Sequence, residues 1–103
     1  MSADNTIAIL KTPSGKGGFE YRVIHAQAIE NIYWQHDDGN PLEVMRYFGK
    51  CEVLTSEINA LKIALDMEKE ILNDDFGILE YGIRTIELPH PFSYYKRKGT
   101  RHC

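Results

Sequence analysis

Two β-rich runs open the pattern of apolar and polar positions. Residues 6–11 (Thr-Ile-Ala-Ile-Leu-Lys) and 19–26 (Phe-Glu-Tyr-Arg-Val-Ile-His-Ala) read as strands, and the Thr-Pro-Ser-Gly-Lys-Gly-Gly cluster between them predicts a hairpin. A period of two puts Phe19, Tyr21, Val23 and His25 on one face of the second strand. Glu20, Arg22, Ile24 and Ala26 take the other face. Over residues 27–34, Ile29, Ile32 and Tyr33 recur at helical spacing and suggest a short helix, followed by a polar loop. Asn40 as cap, Pro41 at the first helical position, Glu43 three residues after the cap and Gly49 as a stop predict a helix over Pro41–Phe48 with a capping box. Residues 51–55 read as a short buried strand, and 78–88 as a last strand.

The longest helical pattern begins at Ser56 and runs to about Asn73. Its polar residues Asn59, Lys62, Asp66, Lys69, Glu70 and Asn73 fall within an arc of roughly 100°. The remaining apolar arc is roughly 220° wide, about twice what a helix covering one sheet face needs. With Leu61, Leu65 and Leu72 expected against the sheet, Ala60, Ile63, Met67 and Ile71 become candidates for an interface with a second copy of the chain. Coverage by the short helices or by the C-terminal segment is the alternative. Glu68 lies in the middle of that arc, where a carboxylate needs a partner, and Arg22 or Arg84 could supply one.

These elements predict an α+β fold. The expected form is a small, four-stranded, mainly antiparallel sheet with one long helix packed on a face and one or two short helices, in the order β-β-α-α-β-α-β. Residues 1–88 form the expected domain, and 89–103 a basic, aromatic C-terminal tail.

Length and composition narrow the function classes. The chain has 103 residues, 43% of them hydrophobic and 26% charged, which describes one globular domain and no disordered chain. No apolar run approaches the length of a membrane span, and the N-terminus has no signal-peptide pattern, so a cytoplasmic location is expected. With only Cys51 and Cys103, neither a disulfide framework nor a four-cysteine zinc site is available. The net charge of -3 hides an asymmetry, because Lys96, Arg97, Lys98 and Arg101 follow the last acid, Glu87. Together with Tyr94 and Tyr95 they form a segment able to contact nucleic acid or an acidic surface, although the acidic remainder of the chain opposes the first.

No catalytic motif is present: Gly-x-Ser-x-Gly, His-Glu-x-x-His and Cys-x-x-Cys are all missing. A Cys51–His25 dyad could form only if the fold brought the two together. The Ser14–Gly18 loop is glycine-rich but is followed by a strand, so it reads as a turn rather than a phosphate loop. His36, Asp37, Asp38 and Asn40 lack the alternation of a calcium loop. Binding groups concentrate instead between Arg22 and Trp34. Arg22, His25, Gln27 and Trp34, with Arg84, are candidates to hold a planar or phosphorylated ligand by charge and stacking. No metal and no cofactor is expected.

Three segments also carry a resemblance: Met-Ser-Ala-Asp-Asn at the N-terminus, Tyr-Arg-Val-Ile-His-Ala-Gln-Ala-Ile-Glu-Asn-Ile-Tyr-Trp at 21–34, and Ile-Leu-Glu-Tyr-Gly-Ile at 78–83. In these the chain resembles a group of short bacteriophage and prophage proteins, over residues 1 to about 88 and not over the basic tail. The group has no established activity, so the resemblance implies a context and no site residues. That context is host takeover or counter-defence in the host cytoplasm, while the missing catalytic motifs and the wide apolar arc of the long helix lead to the expectation of a non-enzymatic, homo-oligomeric protein. Two modes are implied: sequestering a nucleotide or similar anion, or inhibiting a host defence protein through the helix face or the tail.

Overall fold

The computed structural model describes residues 5–27, 29–33, 38–74 and 77–99. Strand β1 (Asn5–Pro13) pairs antiparallel with β2 (Phe19–Gln27), in register from Asn5 opposite Gln27 to Pro13 opposite Phe19. A 3-10 turn over Ile29–Tyr33 leads towards helix α1 (Pro41–Phe48), which is followed by α2 (Glu57–Asn73). Strand β3 (Ile83–Glu87) then pairs in parallel with the free edge of β1, and α3 (Phe92–Gly99) closes the described chain. The sheet order is β2-β1-β3.

Helices cover both faces of this sheet. On one face, Ala8, Leu10 and Ile86 pack with Ile32, Val44 and Phe48, and with Leu88, Phe92 and Tyr95. On the other, Ile7, Ile9 and Tyr21 pack with Ala60 and Ala64 of α2. Strand β1 is therefore central and buried on both sides, which is why it reads Ile-Ala-Ile-Leu without a polar face. Its two small neighbours on α2, Ala60 and Ala64, let that helix sit close to the strands.

The α+β class is as the sequence predicts, and the sheet differs in count and direction. Among the described residues it has three strands and is mixed. Residues 51–55 make a single bridge, Leu54 to Tyr21, with backbone hydrogen bonds of 2.8 and 2.9 Å, because the C-terminal turn of α1 and the Ser56 cap of α2 leave too little chain for a strand. The last strand starts at Ile83 rather than 78, because Gly82 takes a positive φ of 64° and the chain before it folds back on Asn5. The Asn5 side chain accepts from Glu80 N at 2.9 Å and donates to Ile78 O. Gln27 belongs to β2, and the helical pattern after it yields only the 3-10 turn.

The Asn40 cap of α1 forms as expected, its side chain accepting from Leu42 N at 3.2 Å. The reciprocal half of the capping box does not, because Asn40 N donates to Ile32 O. Glu43 lies 3.7 Å from Arg46, and its Oε2 is buried with no hydrogen bond. Residues 92–99, expected within a tail, form a helix packed on α1, with Phe92 and Tyr95 in the core.

The buried side of α2 is rotated from the expected one. Ala60 and Ala64 are fully buried, with Met67 and Ile71 packed beside them and Ile63 half-buried. Three of the four expected interface residues, Ala60, Met67 and Ile71, thus face this chain's own sheet. The leucines expected against the sheet are exposed instead: Leu61 at 46%, Leu65 at 49% and Leu72 at 55%, in line with Ile58 at 78%.

Candidate functional site

A cleft of about 350 Å³ lies on the α1/α3 side of the sheet, lined among others by Glu20, Arg22, Cys51, Phe92, Ser93 and Lys96. The pleat of β2 places Arg22 and Glu20 on this face. The turn after α1 brings Cys51, and the first turn of α3 brings Phe92 and Ser93.

Arg22 is the central group, and its side chain is only 7% exposed. Its guanidinium lies over the Phe92 ring at 3.6 Å, a cation–π contact. Glu20 Oε1 stands 3.5 Å from Nη1, an ion-pair distance without hydrogen-bond geometry, and Nη1 has no hydrogen-bond partner. Burial pushes the Arg22 pKa below its ordinary value, and the Glu20 carboxylate opposes this. The guanidinium remains charged in a place where charge is costly. Lys96 adds a second cation at the rim, one helical turn beyond the start of α3. The N-terminal end of that helix contributes partial positive charge on the same side. Against one carboxylate, Glu20, the cleft therefore has an unbalanced positive character.

Cys51 points its Sγ towards Val23 O and Tyr47 O, each at 3.8 Å. Burial raises its thiol pKa, with Arg22 partly offsetting, so the thiolate a nucleophile requires is disfavoured. His25 is on the opposite face of β2, so no Cys51–His25 dyad exists.

A second cleft of about 450 Å³ lies on the α2 side, lined by Asn5, His25, Glu70, Ile71, Asp74, Gly77 and Ile78. Asn5 Nδ2 and His25 Nε2 are 3.1 Å apart. Its charged lining is two carboxylates, which repel anions. Among the described residues no group of three His, Cys, Asp or Glu side chains is arranged to hold a metal ion.

The sequence-based site residues thus divide. Arg22 lines the first cleft, while His25, and Gln27 by its register on the same face, belong to the other side of the sheet. Arg84 shares Arg22's face but donates from Nη1 to Glu30 at 2.8 Å, and this hydrogen bond holds the Glu30 carboxyl below its usual range. Neither arginine pairs with Glu68; their partners are Glu20 and Glu30. Trp34, the acidic-turn residues His36 and Asp37, Asp75, and the terminal Arg101 and Cys103 lie outside the described residues.

In the C-terminal segment, Lys96 joins the cleft, and Arg97 and Lys98 are exposed. Tyr95 is fully buried and donates its hydroxyl to Asp38 O at 2.6 Å, and burial lifts its pKa to about 12. Tyr94 stacks on His90 at 4.0 Å, and His90 contacts Asp38 at 2.9 Å. These rings are occupied inside the fold, which removes Tyr95 as a stacking platform for a nucleic-acid base.

No protein-family model, curated protein or solved structure matches this chain. Phe92, Ser93 and Glu20 were missed as site residues. The available signal was the side alternation of β2, which separates Arg22 from His25 and gives it Glu20 as a neighbour.

Proposed function

We propose that this protein acts by binding rather than catalysis, and that it holds a small anion in the Arg22–Lys96 cleft. The observation that carries the reading is the Arg22 Nη1 group, buried and without a hydrogen bond beside the cleft. A buried guanidinium with donors to spare is costly to the fold unless something acceptor-rich completes it. Phosphate and carboxylate oxygens suit a guanidinium, and Lys96 and the α3 terminus reinforce that preference. The cleft volume lies at the low end of ligand sites, which fits a phosphate group or one mononucleotide and not an oligonucleotide.

The phage resemblance of the sequence supplies the setting. A small protein of this kind would act in the host cytoplasm by removing a nucleotide from solution, as a counter-defence or takeover factor. Isothermal titration calorimetry against inorganic phosphate, nucleoside monophosphates and cyclic nucleotides tests the reading. Saturable heat with at least one phosphorylated compound, lost in Lys96→Ala and Arg22→Met, is the expected result. The absence of heat with every compound at millimolar concentration would remove it.

A further inference from the structure

The exposed apolar row on α2 lies on the side of the sheet opposite the anion cleft. Ile58, Leu61, Leu65 and Leu72 are spaced three, four and seven residues apart. With Glu68 between the last two, they fill the alternating three- and four-residue steps of a coiled-coil seam. The face that covers the sheet is separate, made by Ala60, Ala64, Met67 and Ile71. The helix therefore has two apolar faces, and this chain covers one.

The charges beside the row indicate what covers the other. Glu57 precedes Ile58 on one flank, and Lys62 follows Leu61 on the opposite flank. Lys69 repeats the basic flank one heptad later. All three are exposed. When two identical helices pair in parallel, the flank before each first seam position meets the opposite flank of the other helix, five residues further on. Glu57 of one copy then meets Lys62 of the other, and the symmetry makes that pair twice. An antiparallel pair would bring the two lysine flanks together.

We propose that α2 forms a parallel, two-stranded contact with α2 of a second copy, about a twofold axis running along the helices. The occupant is this same chain, because the row is complementary to itself in charge as well as in spacing. Glu68 occupies a seam position and sets the register at a cost in affinity, as single polar seam residues do. At 100° per residue the row is centred roughly 110° around α2 from its sheet-facing side, so the twofold would carry the two sheets to opposite sides of the helix pair.

Sedimentation velocity over a micromolar-to-millimolar series tests this with four variants. The unmodified chain is expected to show a reversible dimer. Leu65→Glu should weaken it by at least roughly tenfold, and Glu68→Leu should tighten it by a similar factor. Lys62→Glu should weaken it, and Glu57→Lys combined with Lys62→Glu should restore it. Circular dichroism reports whether each variant remains folded, and the surface charge variants keep the test valid if Leu65→Glu does not. A chain that stays monomeric to millimolar concentration would assign the row to a different protein and overturn self-pairing. A dimer indifferent to Leu65→Glu, or not restored by the double reversal, would overturn the parallel contact.

Discussion

Replacing Arg22 with methionine separates a binding residue from a structural one. The two side chains are unbranched and of similar length, so Arg22→Met leaves little cavity. It removes the contact of the guanidinium with Phe92 at 3.6 Å, worth about 0.5–2 kcal/mol. It also removes a buried donor, Nη1, whose unmet hydrogen bonding costs about 1–3 kcal/mol. Glu20 keeps 30% of its side-chain surface in solvent and tolerates losing its partner. The opposing effects nearly cancel, and exchanging a buried charge for a well-packed apolar group is often neutral or stabilising. The unfolding free energy from urea titration should therefore change by less than about 1 kcal/mol, or rise. Anion affinity should fall roughly 10- to 150-fold, the equivalent of one charge-assisted hydrogen bond of about 1.5–3 kcal/mol. A loss of several kcal/mol in stability with unchanged phosphate binding would refute this reasoning, because it would make Arg22 a structural residue that the ligand never meets.

Other substitutions test the packing that frames the cleft. Thr12 is fully buried, its Oγ1 has no hydrogen bond, and it stands opposite Glu20 in the β-ladder, so Thr12→Val should stabilise the protein by about 1 kcal/mol in urea unfolding. Gly39 has φ +101°, and an added Cβ would come within 3.1 Å of Leu88 and Tyr95, so Gly39→Ala should destabilise by about 2–4 kcal/mol and lower the melting temperature. Tyr95 predicts an alkaline limit. Its folded pKa is raised by burial from 10 to about 12, so its contribution is complete below the unfolded value and is lost as pH rises through the folded one. Unfolding free energy should drop by roughly 2–3 kcal/mol across that interval, and Tyr95→Phe should flatten the drop while costing about 1 kcal/mol at neutral pH.

Where local rules act alone, the sequence was a good guide. Asn40, Pro41 and Ser56 specify helix starts through hydrogen bonds and dihedral angles that involve only neighbouring residues, and both helices begin where expected. The hairpin follows from the glycines of the turn, Gly17 and Gly18, which both take positive φ. Tertiary choices were not legible in the same way. The apolar arc of α2 shows how much of the helix is greasy but not which part meets the sheet. Close approach favoured the alanine side over the leucines, because small side chains let the helix sit against Ile7, Ile9 and Tyr21. Residues 51–55 carry strand-like composition, yet the helices on either side limit them to one bridge.

The candidate site was legible as a charge and not as a place. Arg22 stood out as a cation in a strand, and the alternation of β2 already put His25 on the other face. The two are near neighbours in sequence, and the pleat of β2 separates them in space. The partners Arg22 acquires, Phe92 and Lys96, come from a segment some seventy positions later in the chain, and only the docking of α3 on α1 brings them near. The same docking converts Tyr95 from an apparent tail aromatic into a core residue.

The most direct measurement is a map of ligand-induced amide and guanidinium shifts by two-dimensional NMR, titrating inorganic phosphate and then a nucleoside monophosphate into labelled protein. The account predicts saturable shifts concentrated at Arg22, Cys51, Ser93 and Lys96, with His25 and the face of α2 unmoved. Shifts centred on His25, Glu70 and Asp74, or none beyond the general effect of salt, would contradict it.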